Sequence, residues 1–251
     1  MNANKLILAV FGLAIILSGC KDDTETPQQD NTTSGLPEVY KKIYGASDVY
    51  LDGDYVVIHS NGVPDHPSPY FQNTQWSDRY EAYNGTNTNW NQNPNTISSF
   101  NLVFKIPVSP KEATNKSATP LGPIGVSLNG VAFYNQYAGP NNQQLTDEIN
   151  SFDQYNGHPQ QQGNYHYHVE PLYLTANKGK EALLGFLLDG FPVYGPMENG
   201  KTVVNDDLDA YHGHSHATAD FPDGIYHYHI TAEDPYLNGS GYYGTPGTVT
   251  Q

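Results

Sequence analysis

The 251 residues carry 26 Asp and Glu against 11 Lys and Arg, a formal net charge of −15 with histidine neutral. So acidic a chain is excluded as a binder of nucleic acid or of an anionic membrane surface, and it leaves cations, neutral ligands or plain solubility. With one cysteine, Cys20, it can form neither an internal disulfide nor a thiolate-rich metal site.

The chain opens with "MNANKLILAVFGLAIILSGC": one lysine, an apolar run from Leu6 to Leu17, two small residues and the cysteine. This is the layout of a secretory signal, too short for a permanent membrane span. Its ending, Leu17-Ser18-Gly19-Cys20, resembles a bacterial lipobox. The resemblance implies a lipoprotein signal peptide over residues 1–19, lipid on Cys20, and a cell-envelope location in the outer membrane, on its periplasmic face or at the cell surface. Residues 20–36 are polar, without apolar periodicity, and read as a flexible tether.

In residues 37–120, "VYLDGDYVVIHS" and "NLVFKIPVS" alternate apolar and polar positions between turn residues. They predict half-buried strands in an N-terminal β region packing on the main domain. "GTNTNWNQNPN" and "SPKEATNKSATP" read as surface loops.

From residue 121 the chain repeats itself. "PIGVSLNGVAFYN" and "LLGFLLDGFPVYG" align at an offset of 60, matching Gly125 with Gly185, Asn129-Gly130 with Asp189-Gly190, and Tyr134 with Tyr194. Each predicts two strands joined by a two-residue Asn-Gly or Asp-Gly turn. "FDQYNGH" and "LDAYHGH" follow, matching Asp153 with Asp209 and Gly157-His158 with Gly213-His214. "NYHYHVE" and "IYHYHIT" close the two units. The expectation is an all-β fold: two copies of a hairpin-based β-unit, residues 121–180 and 181–244, packed as a sandwich or barrel-like domain with long polar loops.

In a strand, alternate side chains share a face, so His166 and His168 point one way and Tyr165 and Tyr167 the other; His227 and His229 oppose Tyr226 and Tyr228 likewise. Two imidazoles roughly 6 to 7 Å apart along a strand can converge on one ion. His158 and His214, each after a glycine in an expected loop, could turn back to complete a set of three. The candidate metal ligands are therefore His158, His166, His168, His214, His227 and His229, and the imidazole set suits Cu(II) or Zn(II). Asp153, Asp209 and Asp189 read as turn residues, or else as groups orienting the ligand imidazoles. His59, His212 and His216 read as surface residues. A ladder of stacked Tyr and His joined by hydrogen bonds would write the same repeat without any metal.

The doubled Gly-x-Tyr-His-Tyr-His, "LLGFLLDGFPVYGP" between the copies and an Asp-x-Tyr-x-Gly-His before each resemble the YHYH domain family over about residues 121–244. The resemblance implies an exported, often lipoprotein-borne domain and assigns no reaction. Family members often carry a cysteine where this chain has "NGSGYYG", so a role depending on that thiol is absent. Three functions compete: binding of a divalent metal, a metal-dependent hydrolase with one of the three aspartates as base, and a carbohydrate-binding surface module using Trp76, Trp90 and the twenty tyrosines. The expected partners are the membrane, through the lipid, and a metal ion or small ligand. No nucleophile motif, phosphate loop or HExxH helix is present to name catalytic residues.

Overall fold

The computed structural model describes Met1 and residues 35–251, so the lipobox, Cys20 and most of the expected tether lie outside the described residues. That tether was expected through residue 36, but Leu36 is 5 % exposed and belongs to the core. No helix among the described residues is long and apolar enough to cross a membrane.

The strands follow in chain order. The N-terminal region gives β1 (Asp48–Asp52), β2 (Tyr55–Ser60), β3 (Leu102–Pro107) and β4 (Glu112–Ser117). The first unit gives β5 (Gly125–Ser127), β6 (Ala132–Phe133), a small hairpin of β7 (Tyr137–Ala138) and β8 (Gln143–Gln144), then β9 (Gly157–Pro159) and β10 (Tyr165–Tyr167). A short helix, α1 (Leu172–Lys178), links it to the second unit. There the order recurs as β11 (Leu183–Leu187), β12 (Pro192–Tyr194), a small hairpin of β13 (Met197–Glu198) and β14 (Lys201–Thr202), then β15 (Gly213–His216) and β16 (Ile225–His229). The chain ends in β17 (Tyr242–Gly244) and β18 (Thr248–Thr250).

Eight of these strands form one sheet in the order β15-β16-β12-β11-β5-β6-β10-β9. The order reads the same from either end once unit 1 is exchanged for unit 2. The central pair β11 and β5 is antiparallel, β12 and β16 are parallel as are β6 and β10, and each edge strand is antiparallel to its neighbour. A two-fold axis normal to the sheet between β5 and β11 relates the halves, which leaves both YHYH strands with their histidines on the same face.

A four-stranded sheet, β1-β2-β3-β18, packs beside it. Leu102, Phe104 and Ile106 of β3 are buried while their neighbours are half-exposed, the period-two burial expected of a strand with one face on a core. The fold is all-β and sandwich-like, and no sheet among the described residues closes into a barrel.

Each hairpin turn differs from the two-residue form the sequence suggests. The Gly130 N–H donates to the Ser127 carbonyl and the Ser127 N–H to the Val131 carbonyl; Gly190, Leu187 and Phe191 repeat the pattern. The loop is thus three residues long, a type I turn closed by a glycine at positive φ, +78° in Gly130 and +86° in Gly190. A Cβ on Gly130 would lie 2.5 Å from the Gly45 carbonyl oxygen, and one on Gly190 would lie 2.4 Å from that of Pro107. The turns are therefore seated against the N-terminal region, which fixes the large sheet under the small one.

Candidate metal centre

His158 and His214 do not lie in loops. His158 sits on β9 directly opposite His166 of β10, and His214 sits on β15 directly opposite His227 of β16. The cross-strand partner and the next-but-one residue of the YHYH strand bring three rings to one place, an arrangement alternation alone produces. The glycine before each is required by the tyrosine face. A Cβ at Gly157 would meet the Tyr165 hydroxyl at 2.3 Å, and one at Gly213 would meet the Tyr226 ring at 2.5 Å.

In the first cluster the His166 Nε2 lies 3.1 Å from that of His158 and 2.9 Å from that of His168. Glu148, on a 3-10 helix (Glu148–Ser151), brings Oε1 to 3.1 Å from His158 Nε2 and 3.9 Å from His168 Nε2. The opposite ring nitrogens fix the tautomers. His166 Nδ1 lies 3.0 Å from the Asn164 carbonyl and His168 Nδ1 2.5 Å from that of Asn135; a carbonyl only accepts, so both Nδ1 carry the proton. Ser151 Oγ donates its one proton to the Glu148 carbonyl and so accepts from His158 Nδ1 at 2.7 Å, closer than the Asn93 amide at 3.4 Å. His166 and His168, kept neutral by burial, consequently turn bare Nε2 lone pairs on each other, with the Nε2 of His158 beside them. Left to themselves these repel; a cation among them turns the same geometry into coordination.

The second cluster repeats the device. His227 Nδ1 donates to the Ile225 carbonyl at 3.0 Å and His229 Nδ1 to that of Gly195 at 2.8 Å. Their Nε2 atoms are buried without a hydrogen-bond partner, 3.6 and 3.5 Å from Glu198 Oε1. His214 Nε2 is 3.6 Å from Glu198 Oε2. In each cluster, ligand atoms from three histidines and one glutamate lie within 4.8 Å of one another, so each could hold a metal ion. β10 and β16 stand five strand spacings apart, about 24 Å along the sheet, which makes two separate sites.

Burial sets the protonation. It pushes the His166 pKa well below the usual histidine value, helped by the charges of His158 and His168. His168 falls to about 4, through burial and then His158, and His227 also falls to about 4, chiefly through burial. For Glu148 burial works upward, but the hydrogen bond and charge of His158, with the charge of His168, outweigh it and leave the carboxyl below its usual value. Glu198 is lowered in the same way against burial, by His229, His214, His216 and His227. At neutral pH the buried His166, His168, His227 and His229 are neutral imidazoles beside carboxylates, the forms that bind metal.

Of the two readings of Asp153, Asp209 and Asp189 the turn reading holds, and the surface reading of His212 and His216 is corrected. Asp153, Asp209 and Asp189 orient tyrosines rather than imidazoles, whose Nδ1 protons go mostly to backbone carbonyls. Asp153 Oδ2 accepts from the Tyr165 hydroxyl at 2.8 Å, Asp209 Oδ1 from Tyr226 at 2.9 Å, and Asp189 Oδ2 from Tyr228 at 2.6 Å. The other oxygen of Asp153 takes the Tyr155 and Gly157 N–H groups, and Asp209 Oδ1 those of Tyr211 and Gly213, which makes the Asp-x-Tyr-x-Gly-His motif a turn that anchors the tyrosine face. His212 is not at the surface: it is 2 % exposed and hydrogen-bonded through Nε2 to Thr231. His216 joins the second cluster, its Nε2 2.8 Å from Glu198 Oε1, while His59 is half-buried and stacks on Tyr50.

Glu148 and Glu198 escaped the sequence reading because they occupy different places in the two units. His66 escaped it because it lies far from the repeat; wholly buried, it is hydrogen-bonded to the Tyr167 hydroxyl at 2.9 Å. Of the residues proposed for sugar stacking, Trp90 already lies parallel to Tyr83 at 4.4 Å, and Trp76 packs edge-on against Phe71.

No curated protein and no solved structure gives a significant match to the chain. The profile of the YHYH protein family matches residues 103–206 and 197–240, more than half of the sequence and both histidine clusters. Together with the two symmetric YHYH strands of the central sheet, that match places the chain in the YHYH protein family.

Proposed function

We propose that this YHYH protein binds two divalent metal ions, Cu(II) or Zn(II), one at Glu148, His158, His166 and His168 and one at Glu198, His214, His227 and His229. It does so in the cell envelope, delivered by the lipoprotein signal and held at the outer membrane by lipid on Cys20. The observation carrying the metal reading is the set of Nε2 lone pairs turned on a common point, two of them buried with no hydrogen-bond partner. Binding fits better than hydrolysis because the glutamate supplies a fourth donor, whereas catalytic zinc keeps that position for water. The support for export and anchoring is the lipobox-like ending at Cys20.

The test is titration of the chelator-treated full chain with Zn(II) and with Cu(II), followed by desalting and elemental analysis. Two equivalents are expected, matching the two clusters; retention of well under one equivalent of either metal would sink the reading. For the anchor, a Cys20→Ala chain should lose labelled fatty acid and leave the membrane fraction.

A further inference from the structure

The two clusters differ at one position that the repeat itself identifies. His214 and His216 of β15 match His158 and Gln160 of the first unit at an offset of 56. His216 donates through Nδ1 to the Ala217 carbonyl at 2.9 Å, which leaves its Nε2 lone pair turned inward. That atom lies 2.8 Å from Glu198 Oε1 and 3.1 Å from His214 Nε2, and the ring centre is 4.6 Å from that of His227. Gln160 occupies the corresponding place, lining cavities beside Glu148, His158, His166 and His168, but an amide is a weak donor for Cu(II) or Zn(II).

We propose that His216 is a fifth metal ligand that makes the second site copper-preferring. Resting on the metal reading above, the second site then presents four imidazoles and one carboxylate, a nitrogen-rich set matching the tetragonal preference of Cu(II). The first site keeps three imidazoles and one carboxylate, the tetrahedral set of Zn(II). His216 is also the ligand through which the ion exchanges. Its side chain is 37 % exposed against 0 % for His227 and 2 % for His229, and it stands on the wall of a cavity of about 720 Å³ that reaches Glu198 and His229. An ion entering by that cavity meets His216 before the buried rings.

The reciprocal exchange His216→Gln and Gln160→His, each made in the full chain, tests this. Both positions are partly exposed, and a thermal melt checks that each variant folds. Given one equivalent each of Cu(II) and Zn(II), the parent chain should place copper in the second site, with an electron paramagnetic resonance spectrum showing coupling to several nitrogens. His216→Gln should still take up two Zn(II) but lose copper preference at that site by about tenfold or more, with reduced nitrogen coupling. Gln160→His should gain copper preference at the first site. If His216→Gln takes up two Zn(II) with copper affinity and spectrum unchanged, or Gln160→His folds, loads and gains nothing, the fifth-ligand assignment is overturned while metal binding stands. If the parent chain takes up no ion, both fall.

Discussion

The two units reach the same donor set by different routes. Their imidazoles come from matched positions, 158 with 214, 166 with 227 and 168 with 229, but their carboxylates do not. Glu198 stands on the small hairpin β13-β14 where the first unit has Ala138, and the first unit draws Glu148 from the 3-10 helix that follows its own hairpin. Matched rings follow from duplication alone, but a carboxylate delivered to the same point from unmatched positions answers to the chemistry of the cluster. A purely structural ladder of tyrosine and histidine would need no acid there. On the opposite face the units diverge freely. The first is backed by the N-terminal region, with Ser68 Oγ donating to Asp153 and His66 on Tyr167; the second by the C-terminal segment, with Tyr243 stacked on Tyr226 at 3.6 Å and the Gly244 N–H on Asp189. The histidine face stays constant while the tyrosine face adapts to what covers it.

The sharpest way to separate the faces is to cut the tyrosines. Tyr165 and Tyr228 are wholly buried and hydrogen-bonded to Asp153 and Asp189, so truncation leaves a cavity and takes one hydrogen bond from a buried carboxylate that keeps its other donors. Tyr165→Ala and Tyr228→Ala should each cost about 3–5 kcal/mol in denaturant unfolding of the metal-free protein, with similar values in the two units. A loss under about 1 kcal/mol in either would show that the tyrosine face does not carry the fold as its burial requires.

Cutting the histidines should give the reverse balance. His168→Ala and His229→Ala should each remove one of the two metal equivalents, the other site remaining filled because the clusters are separate. If either substitution emptied both sites, or neither, the picture of two independent centres would fail. Elemental analysis of the desalted variants decides it.

Alternation placed the histidines and tyrosines on opposite faces, and the triple block match announced the duplication, because both depend on local spacing that the sequence carries directly. What spacing could not carry was the long-range pairing. The strands that hold His158 and His214 are only three and four residues long, and without the partner strand they read as loops. Glu148 and Glu198 were invisible because the repeat that exposed the histidines hides donors present at only one of two matched positions. For the aspartates, sequence left two roles open, turn or imidazole support, and the pairing of the strands decides for the turn. Asp153 and Asp209, close in sequence to the Gly-His pairs, lie across the sheet from the imidazoles, held there by the tyrosine hydroxyls.

Acid should distinguish the metal-free from the loaded protein. Burial holds His168 and His227 at about 4 in the folded chain, against about 6.5 for an unperturbed ring. A lowered folded pKa means that the unfolded chain takes up protons first, so stability is fully present above pH 6.5 and is lost as pH falls toward 4. The slope is up to about 1.4 kcal/mol per pH unit for each fully buried ring. Melting of the chelator-treated protein should therefore drop steeply across that window, and the extra stability that Zn(II) confers should be largest at neutral pH and disappear as acid protonates the rings it needs. A metal-free melting temperature that does not change between pH 7 and pH 4.5 would mean that these rings are not held neutral.

The smallest effect sharpens the contrast at a position outside either donor set. His212 matches Asn156 in the first unit, and both adopt left-handed backbone, φ +74° and +65°. Asparagine accepts that conformation more readily than histidine, a gain that offsets part of the lost hydrogen bond to Thr231. His212→Asn should thus stay within about 1 kcal/mol of the parent at pH 7.5. At pH 5 it should be the more stable chain. Burial, with the charge of His229, holds His212 at about 4, and a ring so lowered costs the folded state about 2 kcal/mol at that pH, a cost the amide does not carry. Paired denaturant curves at the two pH values measure the crossing. If the parent remained the more stable chain at both, His212 would be contributing through its contacts alone, and the acid sensitivity would belong entirely to the histidines of the clusters.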